Sequence, residues 1–339
     1  MTGWYTITPA GPVSIGNLTP VGQNSGRVGC RWPPNGHHLA GSLQLPSDCQ
    51  LLGPFWYHQQ YTDIFVVLPL PTYTPCAELR RSIQGSRSGA ATELHANSQV
   101  LPQNVFCLNW YHRYWQVRPE HENQDIELVG GQYLISGSSL QSLWQQGFAT
   151  NPHLQPLPWE TQTLPHNRRE DYQVKNEGGF FAEMTTFLAQ DWSILVKIVG
   201  NHQPPRQSYL GAGATPVTVT PIEQDFPWLE ADCPQARGGV LLTGALWQQP
   251  QQKISLPYPP VENLEAYAAD NPVPWQSWKK VPDRHNPSQR VSVLTPGEWM
   301  TPAGAVYLWS GSPPISQSGP YPDPFNRHVL GYGHLWLFA

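Results

Sequence analysis

The sequence predicts an α+β fold. Short β-rich runs recur along the chain, each closed by proline or glycine, and helical spacing is confined to a few brief stretches. Apolar residues make up 39% of the 339 positions and tryptophan alone contributes 15, enough to build a packed interior. Prolines and glycines number 37 and 29, below the roughly 25–30% share that marks low-complexity chains. The loops are therefore expected to be ordered and rich in turns.

The opening run through Pro9 alternates and is β-branched, which predicts a first strand followed by a turn. The Gly/Asn/Ser stretch 16–29 reads as an exposed loop. Pro33-Pro34-Asn35-Gly36 is a hard turn, and the residues after it open a short helix. The run 63–71, DIFVVLPLP, is a buried strand that stops at Pro69. Residues 78–93 are polar, small and basic, so they predict a loop or arm. Segment 131–147 reads as a strand and then a helix from about Ser139, with Leu140, Leu143 and Trp144 at helical spacing. A second half is expected from near Pro165, giving domains at 1–165 and 166–339. Residues 178–200 predict a hairpin around Ala189-Gln190-Asp191. Strands are expected within 237–247, 303–309 and 328–338, and a helical turn within 260–270. No fixed-period repeat is visible.

Charge is sparse. Only 13% of residues are charged, against about 25% in an average domain. The net charge of −5 argues against a protein coated in nucleic acid, but leaves room for a local basic groove. Residues 1–118 carry a net charge of +3 and residues 119–339 carry −8, and 14 of the 19 basic residues are arginine. Arginine is the better residue for phosphate forks and base stacking. Five widely spaced cysteines without a CxxC predict free thiols in a reducing compartment. The first basic residue is Arg27 and the apolar runs are short, so neither a leader peptide nor a membrane span is expected, and a cytoplasmic location is.

The candidate chemistry is thin. His37-His38 suggests a general base for metal-free RNA cleavage, but no partner base or nucleophile is marked, and polar turn residues are the commoner role. The histidines form neither HExxH nor an i,i+4 pair, and Cys30 near His37 lacks a second ligand pair, so no metal or other cofactor is expected. Three basic clusters stand out: Arg80-Arg81 with Arg87, Arg168-Arg169, and Lys279-Lys280 with Arg284, His285 and Arg290. The first sits among serines and glycines that let a loop mould to a phosphate backbone, with Trp32 and Tyr73 as stacking candidates. Gly331-Tyr332-Gly333 precedes the last apolar run. Such glycines serve a turn, a close backbone approach, or an anion-binding nest of successive amides.

Several motifs in order resemble a known family. They are RWPPNGHHLAGSLQ (31–44), LLGPFWYHQQYTDIFVVLPLP (51–71), GGFFAEMTTFLAQDWSILVKIVG (178–200), TPAGAVYLW (301–309) and VLGYGHLWL (329–337). The chain thereby resembles subunit three of the Cmr complex, the type III-B CRISPR effector, in the Cas-five-like group of RAMP proteins, from about Trp4 to Leu337. AGAVYLW followed by LGYG is the most specific part. Two departures stand out: the expected arginine of the first motif is Gln44, and Ala305 replaces a serine. Region 90–165 matches nothing position by position.

The resemblance implies two ferredoxin-like (RRM-like) domains with long loop insertions and a role without catalysis. It implies a subunit that holds the repeat-derived 5′ handle of the guide RNA (crRNA), docks the large polymerase-like subunit, and adjoins backbone RAMP subunits. Carried over by position, Arg31, His37, His38, Gly41, Gly331, Tyr332 and Gly333 lie near RNA. Arg27, Arg80, Arg81 and Arg87 are added from charge alone. The alternative is a RAMP-fold, metal-independent endoribonuclease that processes precursor RNA with His37 or His38. A Trp-rich carbohydrate-binding β protein accounts for the tryptophans but not for the free-thiol pattern.

Overall fold

The computed structural model describes residues 2–16, 26–28, 30–76, 101–167, 169–170, 173–174, 180–248, 255–276, 278–283 and 288–339. It is strand-rich. An eight-stranded antiparallel sheet runs in the order Leu154–Pro156, Tyr133–Ser136, Tyr61–Val67, Gln50–His58, Trp192–Val199, Gly3–Pro9, Thr215–Ile222 and Gln207–Leu210. A five-stranded antiparallel sheet follows, in the order Leu264–Ala268, Val306–Trp309, Gly238–Leu241, His334–Phe338 and Gly319–Pro320. The change of sheet falls between Ile222 and Gly238. The division expected at 165/166 therefore runs through the first sheet, because strands 192–199 and 215–222 flank the opening strand.

The described residues hold two whole α-helices, Gly36–Ser42 and Gly137–Gln146, and both pack on strands of the first sheet. A ferredoxin-like domain places two helices on one face of its sheet. Among the described residues the second sheet carries only 3₁₀ turns, so that part of the expected architecture is not seen there.

Local chemistry explains the helices. Asn35 caps the first, its side chain accepting from the amides of His37 and His38 at 3.1 and 3.3 Å. Ser136 caps the second, and Gly147 closes it in the left-handed region with φ of 73°. Leu140 and Leu143 are its buried stripe.

Two expectations change. Residues 180–188 and 192–199 are not a hairpin. The first strand pairs with Trp159–Asn167 and, in parallel, with Gly26–Val28, whereas the second enters the middle of the large sheet. Asp191, at φ of 65°, turns the chain from this three-stranded sheet into the eight-stranded one. Strand 192–199 is buried almost throughout, as a central strand covered on both faces must be. The helical turn expected in 260–270 is the strand Leu264–Ala268, which lies on the edge of the second sheet.

One hydrophobic cluster joins the sheets. Trp4, Phe55, Ile64 and Leu195 of the first share it with Val240, Val306 and Trp336 of the second. Trp144 of the second helix stacks on Phe338 with ring centroids 4.1 Å apart. The five cysteines are unpaired. Among the described residues, no helix is long and apolar enough to cross a membrane.

Candidate nucleic-acid interface

The three motifs that open, follow and close the family-like pattern meet at the seam between the sheets. Gly36 packs so closely on the closing loop that a Cβ there would lie 1.7 Å from the carbonyl oxygen of Leu330. Gly331 has φ of 83°, and a Cβ on it would lie 2.2 Å from the carbonyl oxygen of Gly53. Backbone contact this close requires residues without side chains. Gly331, before the last strand, thus lets two backbones touch.

Tyr332, between them, is 4% exposed. Its hydroxyl accepts from the Trp275 indole Nε1 at 3.0 Å and lies 2.9 Å from His37 Nδ1. With His37 Nδ1 as acceptor, the hydroxyl is satisfied on both sides. Burial, with Arg327 nearby, lowers the His37 pKa to about 4. His38 Nδ1 accepts from the Asn35 backbone amide at 3.3 Å, completing a capping box in which histidine takes the place of glutamate. Its pKa is also lowered to about 4, by burial and then by Arg31 and His37.

Arg327 braces the loop. Its guanidinium pairs with Glu298 at 2.8 Å and Asp323 at 3.3 Å in a largely buried setting. Arg31 is tied to backbone, donating from Nε to the Gly16 carbonyl and from Nη1 to the Gln276 carbonyl, both at 2.9 Å.

A cleft of about 200 Å³ opens along this seam. Trp32, Trp56, Trp159, Pro54, Met300 and Tyr332 are among its walls. Trp56 and Trp159 have ring centroids 4.6 Å apart, and Trp32 lies 6.1 Å from Trp56. A second hollow of about 190 Å³, on which Arg31, Trp32 and Trp275 all border, adjoins it. The Trp32 indole Nε1 is buried without a hydrogen-bond partner. Flat aromatic walls and a bordering guanidinium suit a planar base attached to an anionic backbone.

The sequence-predicted residues separate into groups. Arg31, His37, His38, Gly331 and Tyr332 gather at the seam. Gly41 lies on the open side of the first helix, with nothing near its missing side chain. Gly333 donates its amide to the Gly244 carbonyl at 3.0 Å, and Gly331 to that of His328 at 3.1 Å. Those two amides are already used, so the loop forms no anion nest with them. Tyr332 borders the cleft but is 4% exposed, with its hydroxyl committed to Trp275 and His37. Tyr73 is a core residue whose hydroxyl meets His121 Nδ1 at 2.7 Å, whereas Trp32 lines the cleft. Arg27 lies in the strand Gly26–Val28, with backbone opposite Ala182. Arg80, Arg81 and Arg87 lie outside the described residues, as does Arg168. Among the described residues no cluster of potential metal ligands forms. Trp275, Trp159 and Arg327 went unnoticed in the sequence. The one signal in the sequence is that Arg327 lies four residues before Gly331.

No family model matches the chain, and no curated protein does. Among solved structures, the chain is similar to one in the cryo-EM structure of the type III-B Cmr-beta complex bound to cognate target RNA. The two are 8% identical, with 90% of this chain and 86% of that chain covered, at a TM-score of 0.44. It is also similar to a chain of the Csm3-Csm4 subcomplex of the type III-A CRISPR-Cas interference complex, at 7% identity, 99% coverage of both chains and a TM-score of 0.36. A third likeness is to a chain of the Csm1-Csm4 cassette in complex with cA4, at 10% identity, 95% of this chain, 100% of that one and a TM-score of 0.29.

Proposed function

We propose that the chain is a non-catalytic, RNA-binding subunit of a type III CRISPR effector. In this reading it holds the 5′ handle of the guide RNA and docks the large polymerase-like subunit beside backbone RAMP subunits. One observation carries the reading: the motifs behind the family resemblance, RWPPNGHHLAG, LLGPF and LGYG, converge on one aromatic cleft although LGYG is remote in sequence from the other two. Trp32, with its unpartnered indole N–H, and Arg31, at the border of the adjoining hollow, are the residues assigned to a handle base and its phosphate.

The endoribonuclease alternative is disfavoured by the histidines. A general base works best with a pKa near the operating pH. His37 and His38 sit at about 4 and are committed to Tyr332 and to the helix cap. The absence of catalysis is part of the proposal.

The test is to express the tagged chain with the other genes of its locus and sequence the RNA that co-purifies. Short RNAs sharing one repeat-derived 5′ end, together with a large polymerase-like subunit, are expected. Trp32→Ala with Arg31→Ala should reduce handle-bearing RNA while protein partners remain. A monomer free of RNA would remove the reading.

A further inference from the structure

A second aromatic feature lies away from the seam. Asn109–Tyr111 and Tyr114–Gln116 form an isolated two-stranded hairpin, with Trp110 opposite Trp115 and Tyr111 opposite Tyr114. Directly opposed residues share a face, so the Trp pair and the Tyr pair lie on opposite faces. The Trp face turns toward the second sheet, where the Trp115 indole donates to the Tyr267 carbonyl at 3.2 Å. The Tyr face is open, with Tyr111 60% and Tyr114 69% exposed. Asn109 and Gln116, paired with each other and also exposed, extend it with amide groups.

The tip is His112-Arg113, with φ of 48° and 69°. A two-residue turn of this kind favours Asn-Gly, yet here it carries an imidazole and a guanidinium. Both are exposed, and Arg113 makes no hydrogen bond or ion pair to any described residue. Beside the tip runs an open groove to which Trp110, Arg113, Glu265 and Ser310 contribute.

We propose that the hairpin 109–116 is a stacking platform for single-stranded nucleic acid, separate from the seam cleft. Charge selects this occupant. No acidic residue occurs between Glu93 and Glu120, in a chain whose net charge is −5. Two exposed phenol rings with a cation at the tip match how unpaired bases and their phosphates are held without sequence readout. Glu265 in the groove can accept from an exocyclic amine of a base while Arg113 takes a phosphate.

The experiment uses the full chain and a fluorescent mixed-sequence RNA of about 12 nucleotides without any handle sequence, a length within the usual site size for such platforms. Binding is read by anisotropy across salt concentrations, beside the corresponding duplex. The single strand is expected to bind more tightly. Tyr111→Leu with Tyr114→Leu keeps apolar bulk but removes the flat rings, and should weaken binding on the order of tenfold or more. Tyr111→Phe with Tyr114→Phe should restore it, which separates stacking from damage to the fold. Arg113→Ala should reduce the salt slope by about one. Equal binding by the leucine variant and the wild type would overturn the proposal. So would no binding by the wild type, or loss of a protein partner alone in the leucine variant. Because the probe carries no handle, this result and that of the co-purification experiment are independent.

Discussion

Tyr332 shows how much one side chain decides. In the sequence it stands between two glycines and invites a role in binding. In the structure its hydroxyl joins Trp275 to His37 and its ring fills the seam. Tyr332→Phe removes one oxygen and leaves two buried polar atoms without their partner. Each such loss costs about 1–3 kcal/mol. A drop in the urea midpoint at unchanged slope is expected. An unchanged midpoint would mean that water replaces the hydroxyl.

The histidines give a pH signature at the same scale. His37, His38 and His334 are each held near a pKa of about 4, mainly by burial, against an ordinary value of 6.5. In the folded state they are neutral at pH values where the unfolded chain is protonated. Between about 6.5 and about 4 the unfolded state therefore binds more protons, and stability falls as pH is lowered. Their contribution is complete above about 6.5 and its loss levels off below about 4. Urea midpoints measured from pH 8 to pH 4 should decline through that window, and His38→Gln should make the decline shallower. A wild-type midpoint that stays constant through it would contradict the burial of these rings.

At the scale of elements, two glycines in one short helix make opposite predictions. Gly36, at the helix start, lies under the Leu330 carbonyl, so Gly36→Ala forces backbone apart at the seam. Gly41 is inside the same helix with open space around it, so Gly41→Ala should stabilise by about 0.5–1 kcal/mol through helix propensity. Thermal unfolding of the two variants should shift in opposite directions. The helix itself was legible, because Pro33-Pro34-Asn35-Gly36 spells a turn and a cap. So was the second helix, from Leu140, Leu143 and Trp144. The partner of each strand was not. Residues 180–199 carry two β-rich runs around a turn, which is the local signature of a hairpin. Burial of strand 192–199 on both faces sends it elsewhere, and that preference comes from the rest of the fold. The cleft was half legible. Its glycines and Trp32 lie in quotable motifs, whereas Trp159 in the cleft and Trp275 in the adjoining hollow arrive only through tertiary packing.

At the scale of the whole molecule, the question is whether the two sheets are separate units. Chain order suggests so, since the second sheet begins only at Gly238. The packing points the other way. Val240, Val306 and Trp336 belong to the same buried cluster as Phe55, Ile64 and Leu195, and the Phe55 ring meets that of His334 edge-on at 5.4 Å. The bracing is polar as well as apolar. Leu70 donates its amide to the Gly304 carbonyl at 2.9 Å, and His37 Nδ1 lies 2.9 Å from the Tyr332 hydroxyl. Removing either sheet would expose the apolar face of the other, and marginal stability of about 5–15 kcal/mol leaves no reserve for that loss. The expected result is one cooperative transition, with calorimetric and van't Hoff enthalpies in agreement and fluorescence and circular dichroism midpoints coinciding. A fragment ending at residue 222 should be collapsed but without fixed packing, binding a hydrophobic dye that the full chain excludes. Two resolved transitions, or a fragment with a sharp melt of its own, would mean that the seam is a docking surface between independent domains. The cleft would then open and close with their relative motion, whereas a shared core holds its walls in place before any ligand arrives.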